Sequence, residues 1–140
     1  MVNLLTGPKG SGKTQQIIEL ANKKMKDCNG SVVLIKKSHR DTYSVDFNVR
    51  VICMTDYASI STVEEFVGFL YGMVASNHDI ESIFIDGILK QANITLDNLS
   101  FFLEALNIFT QENHIEAFIS ISANREDIPN VDSADYNILN

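Results

Sequence analysis

Eight consecutive residues near the start of the chain have the types and spacing of a phosphate-binding loop. They are Gly7, Pro8, Lys9, Gly10, Ser11, Gly12, Lys13 and Thr14, which fit the pattern G-x-x-x-x-G-K-[ST] at every defined position. The glycines allow a tight turn with N–H groups aimed inward, where side chains would block a phosphate. Lys13 supplies a charge for the β- and γ-phosphates, and the Thr14 hydroxyl is suited to ligate Mg²⁺. The loop therefore predicts binding of ATP or another nucleoside triphosphate together with Mg²⁺.

Such a loop requires a strand before it and a helix after it, and the flanking sequence predicts both. Residues 2–6 have the pattern of a short buried strand that runs into Gly7. Apolar residues then recur at helical spacing, which predicts a helix from residue 13 to about residue 27 with its N-terminal dipole facing the phosphates. The alternative is a glycine-rich turn that matches by accident. Glycine makes up about 7% of residues in average proteins, so four defined positions would rarely coincide in so short a chain.

Asp86 stands at the end of a second hydrophobic strand, predicted over residues 80–85. A carboxylate at the carboxyl end of a buried strand can hold the Mg²⁺ shell opposite Thr14, usually through water. Residues 82–86 accordingly resemble a Walker B motif, and Thr14 and Asp86 are the predicted metal-binding residues. Gly87, which follows, has no side chain to orient an attacking water. No catalytic residue is assigned, and hydrolysis is expected to be slow or to depend on a partner.

Three further groups lie at predicted strand ends, and each has two interpretations. Residues 36–43 form either an acceptor-binding loop or an exposed charged loop, and no run of base-stacking aromatic residues accompanies them, so nucleic acid is not an expected partner. Asp56 either polarises an attacking water or is an aspartate of a surface turn. Ser122 or Asn124, with Arg125 as a charge donor, either senses the γ-phosphate or belongs to a plain strand-to-loop transition.

The remaining chain predicts alternating strands and helices. Further strands are predicted at residues 31–35, 48–54 and 115–121. One helix is expected to begin with a capping box of Ser61 and Glu64 and to end near residue 76. Another is expected to be capped by Thr95, with Leu96 on its buried side.

This alternation predicts a three-layer α/β/α domain over residues 1–125, built on a mostly parallel sheet of about five strands. Residues 126–140 form an acidic C-terminal tail without periodicity, in which Tyr136, Ile138 and Leu139 can dock on the sheet.

Composition and charge limit the class of protein. The chain of 140 residues is about one domain, its hydrophobic content of 45% is ordinary, and no apolar run approaches the ~20 residues that cross a bilayer. Cys28 and Cys53 lack metal-ligand spacing, and the first strand begins at residue 2, so a soluble cytoplasmic protein is expected. Residues 1–50 carry nine of the eleven lysines and arginines against four carboxylates, whereas residues 51–140 carry two against fourteen. The basic half contains the loop and would attract an anionic ligand.

The order of these elements resembles the P-loop nucleoside triphosphatase superfamily over nearly all of residues 1–125. The loop at residues 7–14 is similar to that of the type IV pilus retraction ATPases of twitching motility. Gly7-Pro8, residues 11–14, Lys36-Lys37 and Asp41 before Tyr43 resemble type II thymidine kinases, whose fold is RecA-like. Gly87 stands where those kinases have a catalytic glutamate. The chain most resembles small, uncharacterised bacterial P-loop proteins of about this size.

The resemblance implies an ATP- and Mg²⁺-binding protein with slow or partner-dependent hydrolysis. Two alternatives stay open. One is a non-catalytic switch that binds a protein partner according to its nucleotide state, and the other is a thymidine-kinase-like kinase of a nucleoside or another small molecule.

Overall fold

The computed structural model describes residues 1–40, 44–129 and 135–140. Asp41, Thr42 and Tyr43 of the predicted acceptor loop therefore lie outside the described residues. The strands are β1 (Val2–Thr6), β2 (Ser31–Lys36), β3 (Arg50–Cys53), β4 (Ile80–Ile85), β5 (Glu116–Ile121) and β6 (Tyr136–Ile138). The α-helices are α1 (Lys13–Asp27), α2 (Val63–Ser76) and α3 (Leu99–Asn113).

All six strands run parallel in one sheet, in the order β3-β2-β4-β5-β1-β6. The predicted parallel α/β fold is confirmed, with one more strand than the five expected. The additional strand is β6, which pairs with β1 through Val2 and Tyr136. On its other side β1 pairs with β5, where Val2 lies opposite Ala117. Because all strands are parallel, their carboxyl ends meet at one edge of the sheet, where ligands bind in open α/β folds.

Helices cover both faces of the sheet. On one face α1 packs Ile17 and Ile18 against alternate residues of β2, including Leu34. On the other face α2 and α3 pack against the intervening residues of β2, and Phe66 meets Phe102 edge to face with ring centroids 5.6 Å apart. A strand buried on both faces is predominantly apolar, which is why residues 32–35 of β2 and residues 83–85 of β4 appear in the sequence as continuous hydrophobic runs.

The start of α2 lies one residue later than predicted. Thr62 is the N-cap and accepts a hydrogen bond from the Glu65 backbone N–H at 3.1 Å, while the Glu65 carboxylate accepts one from the Ser61 N–H at 3.0 Å. The capping box thus uses Thr62 and Glu65, and the prediction of Ser61 and Glu64 was wrong. Two adjacent hydroxyl residues followed by two adjacent glutamates fit the pattern in either register.

The start of α3 also differs from the prediction. Its N-cap is Asn98 and not Thr95, whose backbone N–H instead donates to Asn98 Oδ1 at 2.7 Å. Leu96 consequently lies before the helix and is 37% exposed, so its predicted place on a buried face was wrong. The Asn98 side chain does not cap the first turn of α3, because its Oδ1 accepts the Thr95 N–H and its Nδ2 donates to the Asn93 carbonyl.

Other properties of the fold concern the cysteines and the helices. Cys28 and Cys53 are free thiols, and burial raises the pKa of Cys53, with the nearby Asp56 carboxylate adding to that shift. Within the described residues, no helix has both the length and the apolar character that crossing a membrane requires.

Gly30 lies in the turn before β2. Of the glycines in the fold, it is the one at which another backbone segment comes closest to the position of a Cβ atom. A Cβ added there would lie 2.1 Å from the Asp79 carbonyl oxygen, which already accepts the Ser31 N–H. We expect Gly30→Ala to lower the free energy of unfolding by about 1–3 kcal/mol, because backbone must shift to admit the methyl group. Urea unfolding measures this loss.

The matched control for that substitution is Gly68→Ala in α2, where an added Cβ meets nothing within 4 Å. Alanine at an open helical position should raise stability by up to about 1 kcal/mol. Equal stability of the Gly30→Ala and Gly68→Ala variants would show that the turn at Gly30 is looser than the structure indicates.

Candidate functional site

The loop at residues 7–14 turns between β1 and α1 on glycines with positive φ. Gly12 is the N-cap of α1 with φ 85° and ψ 17°, a left-handed conformation that side chains disfavour. Gly7 has φ 145°, and a Cβ there would lie 2.9 Å from Ser11 Oγ. Its N–H donates to the Ala123 carbonyl at 3.0 Å, which attaches the loop to the end of β5. The first turn of α1 has no acidic residue, so its free N–H groups and dipole favour an anion at the loop.

Lys13 lies inside this loop. The side chain is only 7% exposed, and its ammonium group donates to the Pro8 carbonyl at 2.8 Å and to Ser11 Oγ at 3.3 Å. Burial lowers the pKa of Lys13, Asp86 acts in the opposite direction, and Lys90 lowers it further. A buried cation held only by neutral oxygens is a strong attractor for an anion that enters the loop.

Asp86 meets Thr14 across the edge of the sheet, as the sequence predicted. The Thr14 hydroxyl donates to Asp86 Oδ2 at 3.0 Å and lies 3.3 Å from Oδ1. The backbone of Asp86 is held on both sides, because its N–H donates to the Ile35 carbonyl at 2.9 Å and its carbonyl accepts from Gln91 Nε2 at 2.7 Å.

These oxygens suit Mg²⁺. A hydroxyl and one carboxylate are hard ligands, and Mg²⁺ characteristically takes one or two carboxylates and completes its shell with substrate phosphates and water. The oxygens of Thr14 and Asp86 therefore fit the predicted cation.

Ser120 is a site residue that the sequence did not reveal. Its hydroxyl donates to Asp86 Oδ1 at 2.8 Å and accepts the Gly87 N–H at 2.7 Å. It comes from β5, which lies between β4 and β1, and it is 1% exposed. The available signal was a serine between Ile119 and Ile121 in the buried part of the strand, since a buried hydroxyl needs a partner.

Lys90 is a second residue that the sequence did not single out. Gly87 has φ 69° and starts the short 3₁₀ turn Ile88–Lys90. A Cβ on Gly87 would lie 3.8 Å from Lys90 Cδ, so the lysine stem folds back over the glycine. The signal was charge, because Lys90 is one of only two cations after residue 50.

The loop, Asp86 and the end of β2 enclose one cleft of about 850 Å³, which we call the basic cleft. The described cations that line it are Lys9, Lys13, Lys36, Lys37, Arg40 and Lys90. The described hydroxyl residues are Thr14, Ser38, Ser44, Ser120 and Ser122. Asp86 is the single carboxylate among the lining residues that the structure describes. A cleft with this balance is suited to a ligand of several negative charges.

The other sequence candidates divide into two groups. Lys36, Lys37, Ser38 and Arg40 of the predicted acceptor loop line the basic cleft, and so does Ser122. Asn124 and Arg125 are exposed and are not among the residues lining the cleft. Asp56 lies beyond the edge strand β3, where its carboxylate pairs with His39 at 3.0 Å. The structure thus places Asp56 away from Asp86, in keeping with a surface turn.

No protein-family model matches the chain. The chain is similar to part of the genome polyprotein of feline calicivirus, Urbana strain, with 37% identity over 73 residues, which is 52% of this chain. Two further feline calicivirus genome polyproteins, one of them from the Japanese F4 strain, match to the same extent. The matched region is about 4% of the length of each polyprotein. The similarity is thus distant and partial, and it supports no specific bacterial family.

Proposed function

We propose that this chain binds a nucleoside triphosphate, ATP in the first instance, with Mg²⁺ at the loop of residues 7–14 and hydrolyses it slowly. The observation that carries the proposal is the 3.0 Å contact between the Thr14 hydroxyl and Asp86, two residues 72 positions apart. The contact lies beside a glycine-rich loop that contains a buried lysine. Chance similarity to a phosphate-loop pattern would not bring a carboxylate from another strand to the hydroxyl of that pattern.

Each residue has a separate part in this binding. The loop N–H groups and the N terminus of α1 would receive the phosphate oxygens, and Lys13 would turn from Pro8 and Ser11 toward them. Thr14 and Asp86 would hold the metal, which when bound neutralises charge on the phosphate oxygens. Ser120 is a positioning residue, because its hydroxyl orients the Asp86 carboxylate.

Asp86→Asn tests the metal part of the proposal. The amide keeps the size of the side chain but removes the charge, so we expect Mg²⁺ to add about 10–100-fold less to ATP affinity than in the parent. Affinity for ADP without metal should change little, because the Thr14 hydroxyl is the only group of the described loop residues 7–14 that hydrogen-bonds to the Asp86 carboxylate. Calorimetric titration with and without Mg²⁺ measures both quantities.

Asp56→Asn is the matched control, since it removes an exposed carboxylate outside the basic cleft. Ser120→Ala should reduce the Mg²⁺-linked affinity in the same direction as Asp86→Asn, but less. Full retention of the Mg²⁺-linked affinity in folded Asp86→Asn would mean that Asp86 is only a hydrogen-bond partner of Thr14.

A further inference from the structure

The basic cleft extends well beyond the loop of residues 7–14. Its far side is formed by the segment after β2, where Lys37, Ser38 and Arg40 line the same cavity as Lys13. β2 and β1 are separated in the sheet by β4 and β5. The cleft therefore has room along the sheet edge for a second ligand beside the proposed triphosphate.

The segment after β2 is held in place by its backbone. The Lys37 carbonyl accepts the Thr55 N–H at 2.9 Å, and the Ser38 carbonyl accepts the Cys53 thiol at 3.4 Å. The buried Lys36 ammonium donates to the Arg40 carbonyl. These bonds anchor the segment to the end of β3 and to β2, so its position does not depend on the side chains of Lys37 and Arg40.

The charges of those side chains are available to a ligand. None of the ion pairs among the described residues involves Lys37, Arg40 or Lys90, all of which are exposed and line the basic cleft. Six of the eleven lysines and arginines lie around this cleft, and Asp86 is the only carboxylate beside them among the described residues, in a protein of net charge −7. Cations gathered at one place repel each other, and an anion between them relieves that repulsion.

We propose that Lys37, Ser38 and Arg40 form a second anion subsite that binds the phosphate monoester of a small co-ligand next to the triphosphate. The inference rests on the proposed triphosphate site. A phosphate monoester fits because two cations and a hydroxyl provide several charge-assisted donors along the same side of the basic cleft. A nucleic-acid backbone fits less well, because the described residues of the cleft include no aromatic side chain for stacking and the protein outside the cleft is acidic.

The test uses backbone NMR of the whole labelled chain in two stages. The first stage adds Mg²⁺ and a non-hydrolysable ATP analogue and follows the amides of residues 7–14. The second stage titrates ribose 5-phosphate, with unphosphorylated ribose as the control, both with and without the analogue. We expect saturable shifts at the Ser38 amide with ribose 5-phosphate and none with ribose.

The variant Lys37→Ala/Arg40→Ala should weaken ribose 5-phosphate binding by about tenfold or more for each cation removed. Lys23→Ala/Lys26→Ala removes the same charge from exposed positions of α1 outside the cleft and should have little effect. Absence of saturable shifts, or an equal loss in the two double variants, would overturn the subsite. Tighter, Lys37- and Arg40-dependent binding of a short single-stranded oligonucleotide would overturn it in favour of a phosphodiester backbone.

Failure of the proposed function gives a different result. If the ATP analogue leaves residues 7–14 unaffected while ribose 5-phosphate still shifts Ser38 and requires Lys37 and Arg40, the triphosphate proposal fails and the subsite stands. If the analogue binds and ribose 5-phosphate does not, the subsite fails and the triphosphate proposal stands.

Discussion

Replacement of Lys13 by alanine should lower the affinity for Mg²⁺ and ATP by about 100-fold or more. Lys13 is the buried cation of the loop, and hydrogen bonds to charged groups contribute about 1.5–3 kcal/mol each. The stability of the fold should not decrease in this variant. Burial lowers the pKa of Lys13, which means that the folded protein disfavours its charged form, so alanine removes an unfavourable desolvation.

Calorimetric titration and thermal unfolding measure the two effects of Lys13→Ala separately. Lys23→Ala is the matched control, because it removes an exposed lysine from the same helix. ATP binding by Lys13→Ala as tight as that of the parent would show that the phosphates lie elsewhere. A large fall in melting temperature would instead assign Lys13 a structural role through its bonds to Pro8 and Ser11.

The unmodified protein should hydrolyse ATP at a rate about 10²–10⁴-fold below the ~10 s⁻¹ of a median enzyme. Attack on a γ-phosphate needs an oriented water, and a group that orients it contributes that factor. Among the described residues of the basic cleft, Asp86 is the single carboxylate, and Thr14 and Ser120 already donate to it. The next residue is Gly87, whose left-handed backbone would cost a glutamate about 1–2 kcal/mol.

Steady-state phosphate release by the purified protein measures this rate, and Lys13→Ala serves as the control for contaminating phosphatases. Asp56→Asn should leave the rate unchanged, because Asp56 pairs with His39 outside the cleft. Lys13-dependent turnover at ordinary enzyme rates would contradict the slow-hydrolysis proposal. Loss of that turnover in Asp56→Asn would identify Asp56 as the water-orienting base despite its position.

The parts of the site that are contiguous in the chain could be predicted from the sequence. The segment β1, loop and α1 follows the predicted bounds, because glycine spacing, a short apolar run and helical periodicity are local signals. The position of Asp86 could be predicted for a similar reason. A carboxylate that ends a hydrophobic strand of a parallel sheet must lie at the carboxyl edge of that sheet.

What could not be predicted depends on strand order. Ser120 reaches Asp86 only because β5 lies between β4 and β1, and no local pattern encodes that neighbour relation. The sequence instead singled out Ser122, Asn124 and Arg125, the polar residues after the strand, of which only Ser122 lines the cleft. β6 has three residues, which is too short for a periodicity to appear.

The position of β1 also has a consequence for how the protein is made. Both neighbours of β1 in the sheet come from residues more than a hundred positions later in the chain, so the strand that bears the loop has no partner while the first half is synthesised. Contacts of such long sequence separation slow folding. The loop is synthesised more than a hundred residues before β5, and β1 lacks that neighbour until β5 is present, so a nascent chain without β5 should have no affinity for nucleotide. Conversely, a nucleotide that binds only the complete sheet would shift the equilibrium between late folding intermediates and the native state toward the native state by mass action.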